Sequence, residues 1–555
     1  MAGMFPVETR SASDGLPAAK PAPGTAVVFA IIAAAALAAI VPTFWFGNAS
    51  GHDFEFHMNS WMEVAGQWHG GTFYPRWASL AHYGYGEARF IFYPPASWML
   101  GAALGKVLPW KLVPGAYIWI VLTGSGCAMF ALARNWLPRR DAVFAAALYA
   151  VNPYHLLIIY WRSAFAELMA SVWLPLLLLF VLRLHEDGRR AMVGLSLVVA
   201  AAWLTNAPAA VMVNYSLVLL VLVAGRVQRS PKVVLLGAAA CLLGAGLAGF
   251  YVLPAAYEQQ WVNINEALSL IVRPESNFLF RRIADPDHNR FNLLVSIVAV
   301  LEIAMLALAM WLSRKRRRDQ PEFWWSLALW GGVATLLMLP FTFILWEYLP
   351  QLRFVQLPWR WLLCLNVAFS LLVAMGMRRS KSRAAVCALM LAGLLVVWNK
   401  VQAPWWDKAA DIAEMVDDMR EARGYEGVDE YVPRDADPSL AKPETPEVAA
   451  TDGNPDAVRI ENWSAQNRKF EVNEGRETEV VVRLFNYPAW RVEVNGRQVI
   501  PETQPDTGQM VIPVEAGKNK IEITFVRTRD RTVGFVLSAL TGLVMAVLAV
   551  WKRRD

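Results

Sequence analysis

The feature that most constrains this chain is a series of apolar segments, each about twenty residues long. The first, Thr25–Phe46, is long enough to cross a bilayer as a helix and too long for the core of a typical signal peptide. Of the 555 residues 56% are hydrophobic and 18% charged, whereas a soluble protein would carry about 25% charged residues. The sequence therefore predicts a polytopic α-helical membrane protein with a retained first span.

Basic residues near span ends favour the cytoplasm and give the topology. The six basic clusters are Arg139-Arg140, Arg189-Arg190, Arg226–Lys232, Arg314–Arg318, Arg378–Arg383 and Lys552–Arg554. Placing all six inside predicts twelve spans, with both termini cytoplasmic. The segment 93–109 is interpreted as a re-entrant or interfacial helix, because counting it as a span would move Arg139 and Arg140 outside. The formal charge of +6 resides in these short clusters, which indicates no nucleic-acid partner. The predicted spans are 25–46, 114–136, 141–160, 164–184, 189–205, 207–225, 232–254, 291–313, 323–345, 359–377, 382–399 and 533–551.

This topology divides the chain into four parts. Residues 1–24 form a cytoplasmic tail, and residues 25–399 form the transmembrane domain, with a first outward loop at 47–113. Residues 400–532 are predicted to be extracytoplasmic, with a helix (Pro404–Arg423) and linker before residue 458. A β-sandwich follows at 458–532, where hydrophobicity alternates and Asn495-Gly496 marks a two-residue hairpin. Residues 533–555 supply the last span and a cytoplasmic tail.

The first outward loop opens on an acidic and histidine-rich stretch, Gly51-His52-Asp53-Phe54-Glu55-Phe56-His57. Apolar residues from Phe54 to Trp68 then recur at helical spacing and predict an interfacial helix. Asp53 is either its N-cap or a functional group. Together, Asp53, Glu55 and His57 could deprotonate an acceptor hydroxyl or hold a divalent cation beside a phosphate. The loop's histidines match no standard zinc spacing.

Three arginine-containing segments suit an anionic ligand. Arg89 and Tyr93 lie in the first outward loop and are appropriate for a phosphate-bearing lipid head group, although interface anchoring explains much of the pattern. Arg162 and Glu167 are five residues apart, an imperfect spacing for an intrahelical pair, so they either face a shared cavity or close a helix hairpin. Arg353 and Arg360 are expected at the outer interface, where an anionic ligand or snorkelling would explain them.

Several motifs occur along the chain in a characteristic order. They are Gly51-His52-Asp53 with His57, Phe92-Tyr93-Pro94-Pro95, Asn152-Pro153-Tyr154, Arg162 with Glu167, Leu357-Pro358-Trp359-Arg360-Trp361, and Asn486-Tyr487-Pro488-Ala489-Trp490 followed by Asn495-Gly496. Together they resemble one bacterial family, the YfhO-like membrane proteins, which include those labelled 6-pyruvoyl-tetrahydropterin-synthase-related. The last motif looks like that family's Tyr-Pro-Gly-Trp-x-x-x-x-Asp-Gly strand pair, from which Ala489 and Asn495 depart. The pterin label implies zinc chemistry, but the chain shows no matching histidine triad in a soluble domain.

The family looks like part of the GT-C superfamily of membrane glycosyltransferases. The resemblance implies transfer of a sugar from a polyprenyl-phosphate carrier to a glycan or lipid acceptor, at the outer face of the bacterial inner membrane. Carried over by motif, Asp53 is the acidic residue that acts as base or metal ligand, Glu55 is a second candidate, and Glu167 corresponds loosely to the acidic site of the second outward turn. Arg162, Arg353 or Arg360 would neutralise the departing phosphate. A divalent cation (Mg²⁺ or Mn²⁺) is left open. The alternatives are a transporter or flippase for lipid-linked saccharides, which should carry charges deep within its spans, and a non-catalytic scaffold.

Overall fold

The computed structural model describes residues 24–400, 403–434, 436–450 and 457–550. The predicted N-terminal tail, apart from Gly24, and the basic cluster Lys552–Arg554 lie outside the described residues.

Helices build most of the chain. The first half contains α1 (Thr25–Ile40), α2 (Thr43–Phe46), α3 (Phe54–His69), α4 (Arg89–Phe92), α5 (Pro95–Gly105), α6 (Val113–Ala133), α7 (Arg139–Ala150), α8 (Pro153–Leu157), α9 (Phe165–Ala170), α10 (Trp173–Arg183), α11 (Arg189–Thr205), α12 (Ala207–Val227) and α13 (Pro231–Leu247). The second half contains α14 (Gly249–Glu258), α15 (Pro274–Asn277), α16 (Pro286–Ser313), α17 (Arg316–Asp319), α18 (Pro321–Leu337), α19 (Phe343–Tyr348), α20 (Leu362–Gly376), α21 (Ser380–Lys400), α22 (Ala409–Arg420) and α23 (Arg529–Val550).

Membrane-spanning capacity is the main property of this helical bundle. Among the described residues, eight helical segments are long and apolar enough to cross a membrane, or up to ten if each of two bent pairs is one span. The two predicted spans outside this count correspond to α11 and α21. Helix α11 has only 17 residues, and the side chains near the end of α21 are not among those described. The chain is a polytopic helical membrane protein, and the count of twelve stays a prediction.

Two pairs of consecutive helices are sharply bent at a short break. The pair 231–247 and 249–261 bends by 74°, and the pair 321–337 and 340–348 bends by 90°. The second break falls at Pro340, whose ring disfavours a helical conformation at the preceding residue. In the segment 93–109, α5 has only 11 residues. At ~1.5 Å per residue it is roughly 16 Å long, about half of a bilayer's hydrocarbon core.

The basic clusters gather at one end of the bundle. Arg383 contacts Asp141 at 2.5 Å, Arg183 donates to Asn135 at 2.6 Å, and Gln320 donates to the Trp136 carbonyl at 3.2 Å. At the same end, Arg139 donates to Thr25 at the start of α1. The loop that follows α1, residues 47–113 (hereafter the L1 loop), therefore lies at the opposite end.

Two antiparallel sheets form most of the region between α21 and α23. The hairpin predicted at Asn495-Gly496 is confirmed: both residues have positive φ, 51° and 77°, between β7 and β8. One sheet has the order β3-β6-β10-β9 and the other β4-β5-β11-β7-β8. The strands are β3 (Val448–Ala449), β4 (Val458–Trp463), β5 (Asn467–Glu474), β6 (Thr478–Phe485), β7 (Trp490–Val494), β8 (Arg497–Val499), β9 (Glu502–Thr503), β10 (Gln509–Val514) and β11 (Gly517–Phe525).

The sheets share their hydrophobic core with the L1 loop. Trp77 lies 5.5 Å from Trp490, and Tyr85 lies 5.3 Å from Phe485, measured between ring centroids. In addition, β1 (Asn48–Ala49) pairs with β2 (Trp406–Asp407), which joins the start of the L1 loop to the chain after α21. The segment 403–528 (hereafter the C-terminal region) is thus packed directly against the L1 loop.

Candidate functional site

The site is built on a break in the helix that begins at α8. The Asn152 side chain accepts a hydrogen bond from the His155 amide at 2.9 Å, as an N-cap does, and Pro153 suits the first helical position. After α8 the backbone widens into one π-helical turn, Ile158–Arg162, and ends at Ser163 with a φ of 51°. Turns of this kind occur often at functional positions. Here it turns Arg162 toward α9.

The L1 loop is joined to this break by its own backbone. Ser163 Oγ donates to the Ala49 carbonyl at 2.8 Å and accepts from the Gly51 amide at 3.0 Å. The Asp53 amide donates to the Arg162 carbonyl at 2.9 Å. A Cβ on Gly51 would come within 2.4 Å of the Arg162 carbonyl carbon, so only glycine fits this close approach. These contacts fix Asp53 beside Arg162.

A charged cluster forms where the two segments meet; we call Asp53, Tyr154, Arg162, Glu167 and Arg360 the Glu167 cluster. Arg162 forms an ion pair with Glu167, and Arg360 Nε donates to Glu167 Oε2 at 3.0 Å. Tyr154 donates its hydroxyl to Glu167 Oε1 at 2.5 Å. Asp53 Oδ2 lies 3.6 Å from Arg162 Nη2. Two guanidinium groups therefore converge on one buried carboxylate, with a second carboxylate at the edge.

Both arginines are held in place by further contacts. Arg360 Nη1 donates to the Val355 carbonyl at 2.7 Å and to Gln356 Oε1 at 2.8 Å. The Arg162 guanidinium lies over the Trp359 ring, 5.0 Å from its centroid, a cation–π arrangement. The turn 355–360 therefore brings its own polar and aromatic groups to the cluster.

Exposure separates Asp53 from the rest of the cluster. Its side chain is 40% exposed, whereas those of Arg162 and Glu167 are 4% and 1% exposed. Asp53 occupies the N-cap position of α3, yet its side chain makes no capping hydrogen bond. The carboxylate faces Arg162 instead, so capping does not account for the residue. Asp53 is the one acid of the Glu167 cluster that solvent or a ligand reaches directly.

The predicted metal ligands do not assemble. His57 is buried, and its Nε2 accepts from the Phe165 amide at 3.2 Å. Burial lowers the pKa of the His57 imidazole to about 4. Glu55 is exposed on another face of α3. In the described part of the chain, no group of three or more His, Cys, Asp or Glu side chains is placed to hold a metal ion. Asp53, Glu55 and His57 thus do not fit a cation site of their own.

Arg89 and Tyr93, predicted to bind substrate, have mainly internal contacts. Arg89 is 1% exposed, pairs with Glu87 at 2.5 Å and donates to Ser60 at 3.0 Å. The ring of Tyr93 packs 4.7 Å from that of Phe56. Arg89 therefore stabilises the interior of the L1 loop, while Tyr93 is half-buried beside Phe56.

Arg353 is separated from the cluster that it was predicted to join. Its guanidinium contacts Glu275 at 2.7 Å and Glu347 at 3.2 Å, and none of its ion pairs in the described residues involves Asp53 or Glu167. Arg353 thus pairs with two other carboxylates outside the Glu167 cluster, and its role as one of three alternative phosphate ligands stays a prediction. Sequence reasoning did not single out Gln356, whose Oε1 accepts a hydrogen bond from Arg360 at 2.8 Å.

Two acids of the L1 loop hold the C-terminal region, and the sequence alone did not identify either. Tyr425 donates its hydroxyl to Glu63 Oε2 at 2.6 Å, and the Val428 amide donates to Glu87 Oε2 at 2.7 Å. Both carboxylates are buried. The partners are more than 300 residues apart in the chain, so no local pattern reveals them.

Glu302 is a further buried acid that sequence reasoning missed. It lies near the middle of α16, is fully buried, and accepts from Asn366 Nδ2 of α20 at 3.1 Å. An ionisable residue within a membrane span is costly and is usually functional. Its sequence signal is that Glu302 is the single acid in the apolar segment 291–313, which could have identified it as a candidate functional residue.

The fold and site define a polytopic helical membrane protein with a buried arginine–carboxylate cluster at the L1 end of its bundle. Residues 90–403 match the family described as 6-pyruvoyl-tetrahydropterin synthase related domain, membrane protein, and the chain belongs to this family. The matched range includes Arg162, Glu167 and Arg360, whereas Asp53 and the two sheets lie outside it. No curated protein matches the chain.

Proposed function

We propose that this protein is a GT-C-type membrane glycosyltransferase, which moves a sugar from a polyprenyl-phosphate carrier to a glycan or lipid acceptor. The observation that carries the proposal is the half-exposed Asp53 carboxylate 3.6 Å from the buried Arg162 guanidinium, backed by Glu167 and Arg360. A base and a phosphate-binding group side by side are what transfer from a lipid phosphate requires.

The charges suggest how the two groups cooperate. Arg162 and Arg360 carry two positive charges, of which Glu167 balances one and Asp53 the other. A carrier phosphate that enters beside Arg162 would replace Asp53 as its counter-ion. Asp53 then accepts the proton of the acceptor hydroxyl while the acceptor oxygen bonds to the anomeric carbon. The bond from that carbon to the phosphate oxygen breaks, and the guanidinium groups stabilise the charge on the leaving phosphate.

Asp53→Asn tests this role. Asparagine keeps the shape of the side chain, and Asp53 makes no capping hydrogen bond that the change could remove, so folding should survive. We expect transfer from a polyprenyl-phosphate sugar to fall by a factor of roughly 100 or more. Glu55→Gln is the comparison variant, because Glu55 is the second candidate, lies on the same helical turn, is exposed and has no ion pair in the described residues. If Asp53 is the base, Glu55→Gln should transfer sugar like the wild type; a loss in Glu55→Gln alone would assign the base to Glu55. Near-normal transfer by Asp53→Asn, at matched protein level, would remove Asp53 as the base.

The proposed location is the outer face of the bacterial inner membrane, with both termini cytoplasmic. Its support is the grouping of basic residues at the bundle end opposite the L1 loop, since cytoplasmic ends carry an excess of lysine and arginine. The two sheets, which share one core with part of the L1 loop, would then form an extracytoplasmic β-sandwich packed against that loop.

Transport of a lipid-linked saccharide is the second candidate, and Glu302 is the observation that favours it. A transporter is expected to carry charge deep within its spans, and Glu302 lies there. Glu302→Gln and Asp53→Asn separate the two functions in proteoliposomes. Loss of substrate movement across the bilayer in Glu302→Gln, with no sugar transferred by the wild type, would favour transport over transfer.

A further inference from the structure

One buried cation in the C-terminal region has no counter-ion. Arg468 of β5 points into the core between the sheets beside Phe470 and Val472 and is 1% exposed. Its Nε and Nη1 atoms are buried and have no hydrogen-bond partner. Glu447, a nearby acid, pairs with Arg483 at 3.7 Å instead. Among the described residues, no carboxylate forms an ion pair with Arg468.

Two tryptophans enclose this guanidinium. Its central carbon lies 5.1 Å from the ring centroid of Trp463 and 5.1 Å from that of Trp490. The indole N–H of Trp490 is also buried without an acceptor. Three donor groups therefore occupy one part of an apolar core with no acceptor. Leaving a buried charge uncompensated is strongly unfavourable, and burial lowers the pKa of the Arg468 guanidinium to about 9.

The position of Trp463 provides a route by which a ligand could reach Arg468. It ends β4, the outer strand of the five-stranded sheet, and is half-buried. The register of β4 against β5 shifts between Ile460 and Asn462, an irregularity of the kind that often occurs beside binding sites. Trp463 therefore covers Arg468 from the free edge of the sheet, where the ring can be displaced without breaking an inner strand pair.

We propose that Arg468, Trp463 and Trp490 form a binding site for the carboxylate of an acidic saccharide. The carboxylate supplies the acceptor oxygens that the guanidinium and the Trp490 N–H lack, in a charge-assisted contact. The displaced Trp463 ring offers its apolar face to the C–H face of the sugar. Such a site would let the C-terminal region hold an acidic glycan next to the L1 loop. Binding here requires no sugar transfer, so it can be tested independently of Asp53.

The test uses the full-length protein in detergent, with glucuronate, glucose and acetate as probes in calorimetric titrations at constant ionic strength. We expect glucuronate to bind at least tenfold more tightly than acetate, and glucose not to bind. Arg468→Gln should lose glucuronate binding, whereas Arg491→Gln, which changes an exposed arginine on β7 of the same sheet, should keep it. Equal binding of acetate and glucuronate, or no binding of either, would overturn the proposal.

Thermal unfolding gives a second and independent measurement. Because Arg468 is a buried charge without a partner, Arg468→Gln and Arg468→Met should unfold at a temperature equal to or higher than that of the wild type. A structural arginine behaves in the opposite way. Lower unfolding temperatures for both variants, with glucuronate binding unchanged in whichever variant folds, would assign Arg468 to the core alone and refute the site.

Discussion

Gly51→Ala is the change that most directly tests how the L1 loop positions Asp53. The added Cβ would lie 2.4 Å from the Arg162 carbonyl carbon and 2.7 Å from the amide nitrogens of Arg162 and Ser163. Ordinary carbon–carbon contacts begin at about 3.5 Å, so the two backbones must separate by roughly 1 Å. All of the atoms met are backbone, which cannot rotate away. The Asp53–Arg162 ion pair is therefore expected to open.

Two consequences can be measured. Overpacking of this kind typically costs about 1–3 kcal/mol in the free energy of unfolding, which thermal unfolding of the purified protein would detect. A displacement of about 1 Å at a reacting group can cost a factor of roughly 100 in rate, which a transfer assay with a polyprenyl-phosphate sugar would detect. Asp53 itself is unchanged, so a loss of rate would come from its position alone.

The matched control is Gly66→Ala. Gly66 lies within α3, and a Cβ there meets no atom within 4 Å. Alanine is the better helix former by up to about 1 kcal/mol, so this variant should be as stable as the wild type or more stable. If Gly51→Ala unfolds and reacts like the wild type, the close contact between the L1 loop and the 158–163 turn does not position Asp53.

Three further changes have defined expectations. Tyr425→Phe removes the hydroxyl that donates to the buried Glu63 carboxylate. This should lower the free energy of unfolding by ~1–3 kcal/mol and speed hydrogen exchange over residues 421–432. The control Tyr348→Phe, at an exposed tyrosine, should change neither quantity. The folded pKa of His57, about 4, is below the unfolded value of 6.5, so the unfolded state gains the proton first as pH falls. The His57 contribution to the free energy of unfolding should therefore be complete above pH 6.5 and fall by at most about 3 kcal/mol toward pH 4. In thermal unfolding measured across this pH range, His57→Gln should show a smaller decline than the wild type. Reporter fusions after Arg140, Arg318 and Arg383 should report inside and those near Asn263 and Gly453 outside; a fusion near Lys111 that reports inside would show that 93–109 crosses.

Elements with a local signal were predictable from the sequence. The apolar spacing from Phe54 to Trp68 predicted a helix, and α3 spans Phe54–His69. Asn495-Gly496 predicted the β7–β8 turn, because only residues that tolerate positive φ fit its two central positions. The helix expected at Pro404–Arg423 is shorter, Ala409–Arg420, since residues 406–407 pair with the L1 loop instead.

Contacts between distant segments could not be predicted in this way. A five-residue separation on a continuous helix made the Arg162–Glu167 pair look imperfect, but the π turn and the left-handed Ser163 bring the two side chains together. Arg353 and Arg360 are seven residues apart, yet different carboxylates lie within their reach. Arg353 pairs with Glu275, whereas Arg360 pairs with Glu167. Which acid an arginine finds depends on tertiary packing, which sequence spacing does not encode.

The pairing of β1 with β2 has a consequence for the order of assembly. Asn48 and Ala49 emerge from the ribosome about 350 residues before Trp406 and Asp407, their strand partners. At ~5–20 residues per second, this interval lasts roughly 20–70 s. Throughout that time the L1 loop lacks its strand partner, and Glu63 lacks the hydrogen bond from the Tyr425 hydroxyl. Packing of the L1 loop must therefore wait for these later residues, and a protein truncated after residue 403 would retain the matched family region but leave the L1 loop without its strand partner.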